Sequence, residues 1–550
     1  MKIALVNCKG PQGTMISIPQ GILQLSAEAK ARNHQVDIVD YNYIELPVSY
    51  DSLAKYDLVG LSTMSTQLPH AQEIADSIGN RAKIVWGGIH ALLDPQSILS
   101  QYPDHLVVSG EGEVPLIDIL DTYENRQSME WLLARPGICA MQDGKPVINI
   151  PYYLPSIDDL EDINFYDLPN LEAYLDVYDA WFAKTIKMLL VLVARGCPYN
   201  CSFCINSVHR KHGGKYRVKS IEKIRRESIK VIEEFNIPFI QPRDELFFSN
   251  KKLVAGWLEF VREYNLLWPA NCRFDFFREG HITADYIENL VESGCYSLGM
   301  SVESGNEQVR NSLLNKELSD SQIDHAIDVL EKSAGRKMTL GSSFVLYFPG
   351  DTRQNRIDTI KWMDRLSQRT NVIFSGPQIY RSYPGTDLYK TEVNVFQGGD
   401  ISGYVEMLSY DGTEKSLASS PEAYFYSNML PVYFNYRFRK VILTSGENEP
   451  PTWEVSDEAN TICPPDLYWV MGIIRLRLKL NFWFLFIDPK VLPWIHQLII
   501  EDKSIIGQLR KLGRQLKSTL FNRIWMSYQV GRLTPRRIYH GIRRRLEKMQ

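Results

Sequence analysis

The chain has 550 residues, 44% hydrophobic and 23% charged, with a formal net charge of −4; this describes globular domains with a sizeable core and excludes global disorder. Lys plus Arg (61) nearly balance Asp plus Glu (65), so overall charge gives no ground for a nucleic-acid partner, and none is expected. Eight cysteines are too few for a disulfide scaffold, and MKIALVNCKG lacks the apolar run of a secretory signal, so a reducing, cytoplasmic location is expected.

Residues 1–125 alternate short apolar runs with helical patterns: KIALVN, PQGILQLSAEAKARN, QVDIVDY, YDLVGLSTMS, HAQEIADSIGN, AKIVWGG, HLVVSG and VPLIDIL. Apolar runs ending in glycine and separated by helices predict an α/β, doubly wound, Rossmann-like domain with a parallel sheet. Its ligand edge lies at the strand C-terminal ends, in GLSTMS (60–65), GGIH (87–90) and GEGE (110–113), where small residues let a phosphate or a large flat ligand approach the backbone. Residues 126–185 mix Pro, Asp, Tyr and Leu without a period and are expected to be a linker.

A second βα series fills 186–395: MLLVLVARG, IPFIQPRDE, NCRFDF, SLGMSVESG, TLGSSFVLYFPG and VIFSGPQIY, with helices near 220–235, 250–264, 283–293, 319–334 and 353–368. Six strands in this rhythm predict a partial (β/α)6 barrel. Beyond 396 the rhythm fades into aromatic, helical-looking sequence, expected to be a mainly helical C-terminal domain. Its longest apolar stretch, 467–487, is interrupted by Arg475, Arg477 and Lys479 and does not read as a membrane span. The last fifty residues carry thirteen Lys or Arg against three acids, so the tail is +10 and the rest −14.

The sharpest local signal is RGCPYNCSFC, which sets Cys197, Cys201 and Cys204 in a C-x3-C-x2-C array directly after an apolar strand. Three thiolates on one loop suit three irons of a [4Fe-4S] cluster, leaving the fourth iron open. Structural zinc is the alternative, but zinc ordinarily takes a fourth protein ligand, and only His209 and His212 stand near.

This array resembles the loop that marks the radical S-adenosylmethionine (radical SAM) enzymes, and Phe203 before the last cysteine matches as well. IQPRDELFFSN, GMSVESG, FVLYFPGDT and YRSYPGTDLY resemble the segments after later strands of the family's barrel. The family pattern carries a glycine where this chain has Tyr347. The resemblance implies that Asp244 and Glu245 meet the amino group of S-adenosyl-L-methionine, and that Glu303 and Ser304 approach its ribose and methionine end.

The N-terminal segments in turn resemble the cobalamin (B12)-binding domain of one large subgroup. No histidine here follows the D-x-H-x-x-G pattern, so the resemblance implies cobalamin without a lower histidine from that motif. It places the corrin against Ser62, Thr63, Met64, Ser65, Gln67, Gly87, Gly88, Gly110 and Glu111, with His90 hydrogen-bonding near the nucleotide tail rather than ligating cobalt. Tyr380, Arg381 and Tyr383, near the sixth strand's end, are candidates for orienting a small-molecule substrate.

The function so implied is a B12-dependent methyltransferase acting on an unactivated carbon, or phosphorus, of a natural-product intermediate, with flavodoxin or ferredoxin as electron donor. A radical cyclase or rearrangement enzyme is the second reading, and a non-catalytic cobalamin sensor a third. A methylthiotransferase is disfavoured because only Cys8 and Cys139 precede the barrel. Basic residues among apolar ones in 504–550 suggest peripheral membrane contact.

Overall fold

A computed structural model describes residues 1–10, 17–42, 48–179, 184–367, 369, 372–380, 383–389, 439–443 and 452–456. The first strands are β1 (Lys2–Asn7), β2 (Gln35–Asp40), β3 (Leu58–Ser62), β4 (Lys83–Gly87) and β5 (Leu106–Val108). Between them run α1 (Gln20–Ala31), α2 (Leu68–Ile78), the short α3 (Ile89–Leu93) and α4 (Pro95–Gln101), and α5 (Glu113–Tyr123) follows β5. The strands pair in parallel in the order β2-β1-β3-β4-β5. The helices pack because their apolar residues recur at helical spacing: α2 buries Leu68, Ala71, Ile74, Ala75 and Ile78.

The segment expected to be a linker extends this sheet. After α6 (Met129–Leu133), β6 (Ile138–Gln142) pairs antiparallel with β5, and β7 (Lys145–Ile148) pairs antiparallel with β6. The sheet therefore has seven strands and runs to Ile148 rather than stopping near 125. Asp143 and Gly144 both have positive φ, +52° and +72°, the combination that a tight type I′ hairpin turn demands.

The second series begins with α7 (Leu171–Leu175) and β8 (Asp176–Asp179), an antiparallel edge on β9 (Lys184–Leu192). Next come β10 (Ala194–Arg195), α8 (Ile205–Lys211), β11 (Arg217–Val218), α9 (Ile221–Glu234), β12 (Phe239–Arg243), α10 (Lys251–Glu263) and β13 (Trp268–Asn271). They are followed by α11 (Ala284–Glu292), β14 (Cys295–Gly299), α12 (Asp320–Ser333), β15 (Thr339–Ser342), β16 (Val345–Leu346), α13 (Arg353–Ser367), β17 (Val372–Phe374) and β18 (Gln378–Ile379).

β9 pairs with β12, and β13, β14, β15 and β17 pair in that order, all parallel; a parallel bridge from Phe239 to Leu267 joins the two groups. This is the six-stranded open barrel that the sequence predicts. The five expected helices are present, and four begin on a side-chain cap: Ser220, Asn250, Thr283 and Ser319 each accept from a backbone N–H of the first turn.

Of the C-terminal region, only β19 (Arg439–Leu443) and β20 (Thr452–Ser456), an antiparallel pair, are described. The expected helices there and the basic tail at 504–550 lie outside the described residues. Among the described residues, no helix is long and apolar enough to cross a membrane.

Candidate active site

A cavity of about 640 Å³ opens between the C-terminal edge of the seven-stranded sheet and the barrel. In an open parallel sheet, ligands bind where the strand order reverses, here between β1 and β3. Leu5 of β1, Gly60 to Ser62 of β3, Gly87 at the end of β4 and Gly88 after it all line the cavity. Gly110 to Glu113 complete that wall, and Arg195, Gly196, Asn206, Asp244 and Glu245 stand on the barrel side. Nothing lies within 4 Å of a Cβ built on Gly87 or on Gly21. Both glycines line the cavity, so the wall is bare backbone that a flat macrocycle can approach. The residues present fit a corrin.

Not every residue expected at this edge reaches it. Ser62, Gly87, Gly88, Gly110 and Glu111 line the cavity, whereas Thr63, Met64, Ser65, Gln67 and His90 do not. Thr63 donates its hydroxyl to the Gly87 carbonyl (3.0 Å), and Gln67 accepts from the Met64 N–H (2.7 Å). The His90 ring is fully buried, with Nδ1 2.9 Å from Ser65 Oγ and Nε2 3.3 Å from Ser97 Oγ. Burial lowers its pKa to about 4, so the ring is neutral and built into the loop. Met64 stays 47% exposed at the loop's tip.

On the barrel side, the loop carrying Cys197, Cys201 and Cys204 leads from β10 into α8. Ser202 anchors it: its N–H donates to the Leu314 carbonyl (3.1 Å), its hydroxyl donates to Leu313 (2.6 Å), and its carbonyl accepts from Leu388 (3.0 Å). Phe203 packs against Leu314, Phe348 and Leu388. Burial raises the pKa of Cys197 and raises Cys204 to about 12, and neighbouring cysteines and Glu245 push in the same direction. Such thiols release protons on binding iron. Among the described residues, no three His, Cys, Asp or Glu side chains converge as ligands of one ion. Thiolates that each take a separate corner of a four-iron cube have no need to converge, and the triplet fits that cluster.

Two cations that no sequence motif marks stand beside this loop. Arg273 lies 3.6 Å over the Tyr199 ring and pairs with Asp275 at 2.8 Å. Lys316 pairs with Glu303 at 2.9 Å; burial works against its charge, but Glu303 and then Cys201 hold its pKa above the ordinary value. No local pattern announces either residue, because they come from separate loops, Arg273 just after β13 and Lys316 in the segment leading into α12.

Asp244 and Glu245 follow β12. Asp244 Oδ1 is buried without a hydrogen-bond partner, and Tyr216 approaches Oδ2 only at 3.5 Å. An orphaned carboxylate oxygen beside the cavity suits a ligand ammonium. Burial, reinforced by Glu245, raises the Asp244 pKa to about 8. A carboxyl that ionises near 3.9 when unfolded and near 8 when folded binds more protons in the folded state between those values. The stability it contributes is therefore lost as pH rises through that window. Asp244→Asn is expected to gain stability over the parent chain from pH 6 to pH 8.5, by roughly 2.5 kcal/mol. Urea denaturation of the cluster-free protein at both pH values checks this, and a difference that shrinks with pH contradicts it.

Glu303 and Ser304 do not line the cavity. Glu303 has φ of +69° and spends its carboxylate on Lys316, while the Ser304 hydroxyl accepts from Asn306 N–H (3.2 Å). Tyr347 also has a positive φ, +61°, which is the conformation that the family's glycine would adopt without strain. Here the Tyr347 N–H donates to Asp351 (2.8 Å) and Arg356 stacks on its ring (4.4 Å). Tyr380 packs against the same cluster of Leu314, Phe348 and Leu388 as Phe203 of the cysteine loop, and the Tyr383 carbonyl accepts from Thr386 in a turn. Arg381 lies outside the described residues.

Comparison with known proteins agrees with this architecture. The family described as "B12 binding domain" matches residues 14–120, and the "Radical SAM superfamily" matches 191–363. An "Uncharacterized methyltransferase PH0819" of Pyrococcus horikoshii is 26% identical over 386 residues, covering 68% of this chain and 78% of that protein. The bacteriochlorophyllide d C-8(2)-methyltransferase of Chlorobaculum tepidum is 26% identical, covering 65% of this chain and 72% of its own. The anaerobic magnesium-protoporphyrin IX monomethyl ester cyclase of Cereibacter sphaeroides is 24% identical, covering 66% and 59%. Among solved structures, the radical S-adenosylmethionine methyltransferase TsrM from Kitasatospora setae, with cobalamin and a [4Fe-4S] cluster bound, aligns with TM-score 0.54 at 14% identity. It covers 70% of this chain and 74% of its own, a likeness of fold.

Proposed function

We propose, from the premise that this chain is a B12-binding radical SAM enzyme, that it transfers a methyl group to an unactivated carbon, or to phosphorus, of a small-molecule intermediate such as a natural-product precursor. The observation that carries the reading is a cavity walled on one side by the glycine edge of the first sheet and on the other by the cysteine loop's strand and Asp244. When bound, cobalamin supplies a methyl carrier and the cluster supplies the electron that opens S-adenosylmethionine to hydrogen-abstracting chemistry.

The chain's own residues divide the remaining work. Cys197, Cys201 and Cys204 hold the cluster; Asp244 and Glu245 meet the cosubstrate's ammonium; Ser62, Gly87, Gly88 and Gly110 back the corrin. Glu303 and Ser304 act one layer further out, with Lys316 keeping Glu303 in place. Bound ligands that fill this cavity would leave little room for water or stray hydrogen donors at a reactive centre. Tyr380, Arg381 and Tyr383 are assigned to the substrate side, a small reductase of the flavodoxin or ferredoxin class serves as donor, and the basic tail is assigned to anionic surfaces.

Counting products tests the reaction type. Methyl transfer is expected to yield one S-adenosylhomocysteine and about one 5′-deoxyadenosine per methylated product, because one cosubstrate gives the methyl group and another the radical. The cyclase among the relatives keeps the second reading in view: 5′-deoxyadenosine without S-adenosylhomocysteine would establish it and overturn methyl transfer. A cobalamin sensor would consume no cosubstrate.

A further inference from the structure

Four charged side chains cross from the doubly wound domain to the barrel. Glu111 and Glu113 come from the GEGE loop at the start of α5, Arg195 from β10 and Arg217 from β11. Arg195 pairs with Glu113 at 2.6 Å and with Glu111 at 3.3 Å, and Arg217 pairs with Glu111 at 2.7 Å. Arg217 also donates to the Leu154 carbonyl (2.7 Å), and the Leu154 N–H donates back to Glu111 (2.7 Å). The four side chains are 4% to 16% exposed, so the network is not the loosely held, screened kind found on surfaces. Both Glu111 oxygens are engaged, which makes it the hub rather than a free corrin contact.

The placement gives the hub a role. Glu111 is one residue from Gly110 on the cavity wall, and Arg195 is two residues before Cys197. A displacement of either loop reaches the other through two side chains in contact, with no intervening element to absorb it.

We infer that Glu111 is a positioning residue that couples the two cofactor sites, so that the cluster on the cysteine loop tightens cobalamin binding at the glycine edge. Reciprocity requires that cobalamin tighten the hold on the cluster by the same factor. The physical reason is ordering: a cysteine loop fixed by its cluster fixes Arg195, and Glu111 and Gly110 are then already placed when the corrin arrives. The inference rests on the cofactor assignment made above.

The test is an anaerobic hydroxocobalamin titration of the full chain, with the cluster reconstituted or removed by chelation, in the parent and in Glu111→Gln. The cluster is expected to tighten cobalamin binding about tenfold in the parent, within the usual range of couplings between sites. In Glu111→Gln, which still binds, the factor is expected to fall to about twofold or less. Arg217→Lys keeps the charge but loses the planar fork; it carries the same expectation and answers the question if Glu111→Gln does not fold. Equal affinity with and without cluster in the parent, or undiminished coupling in the variants, would overturn the inference. A parent chain that binds no cobalamin in either state would instead overturn the cofactor assignment.

Discussion

Replacing Cys197, Cys201 and Cys204 together by Ala is expected to take the iron of the anaerobically reconstituted protein from about four per chain to none, and to abolish cleavage of S-adenosylmethionine. No other described cysteine is placed to stand in. Cys8 and Cys139 are fully buried in the core of the first sheet, and Cys272 and Cys295, 5% and 1% exposed, lie at the ends of separate barrel strands. The fold should survive the change, because the loop's anchors are not its thiols: Ser202 is tied to Leu313, Leu314 and Leu388, and Asn315 donates to the Asn200 carbonyl at 2.8 Å. Iron and sulfide assays paired with far-ultraviolet circular dichroism check the result. Iron retained by the folded triple variant would sink the cluster assignment.

The regular parts of this protein were legible because their signals are local. Apolar runs ending in glycine mark the strands, and the alternating helical patterns mark the five barrel helices to within about two residues at each end. The β6–β7 hairpin is not predicted although its turn, Asp143-Gly144 between ICAMQ and KPVI, is a strong local signal; the strands are only five and four residues long. The candidate site is legible in the sequence where one loop carries its residues, as with the three cysteines between β10 and α8. It was not legible where the partner comes from elsewhere. Glu111 lines the cavity, and two arginines more than eighty residues away in sequence hold its oxygens. His90 and Gln67 had the right address but fold inward onto Ser65, Ser97 and the Cys8 carbonyl. A loop's position in sequence says which edge it joins, and only the packed structure says which way its side chains turn.

Two glycines on the cavity wall separate a cofactor contact from a structural requirement. Gly87→Ala is expected to leave stability nearly unchanged, since its φ is not left-handed and nothing lies within 4 Å of the new Cβ. The methyl nonetheless projects from a wall residue of the cavity, where a corrin would have to approach the backbone, and overpacking a close contact typically costs about 1–3 kcal/mol. That corresponds to roughly 5- to 150-fold weaker cobalamin binding. Gly110→Ala behaves in the opposite way. Gly110 has φ of +99°, and its Cβ would sit 2.3 Å from the Tyr152 carbonyl oxygen and 2.7 Å from the Tyr152 nitrogen. Backbone cannot yield as a side chain tip can, so the bridge that joins Ser109 and Glu111 to Tyr152 must open, at a cost on the order of 2 kcal/mol or more. Urea denaturation of the cofactor-free chains and hydroxocobalamin titration, run on both variants, give four measurements. If Gly87→Ala binds cobalamin as tightly as the parent, the corrin does not lie against β4 and the assignment of that wall is wrong.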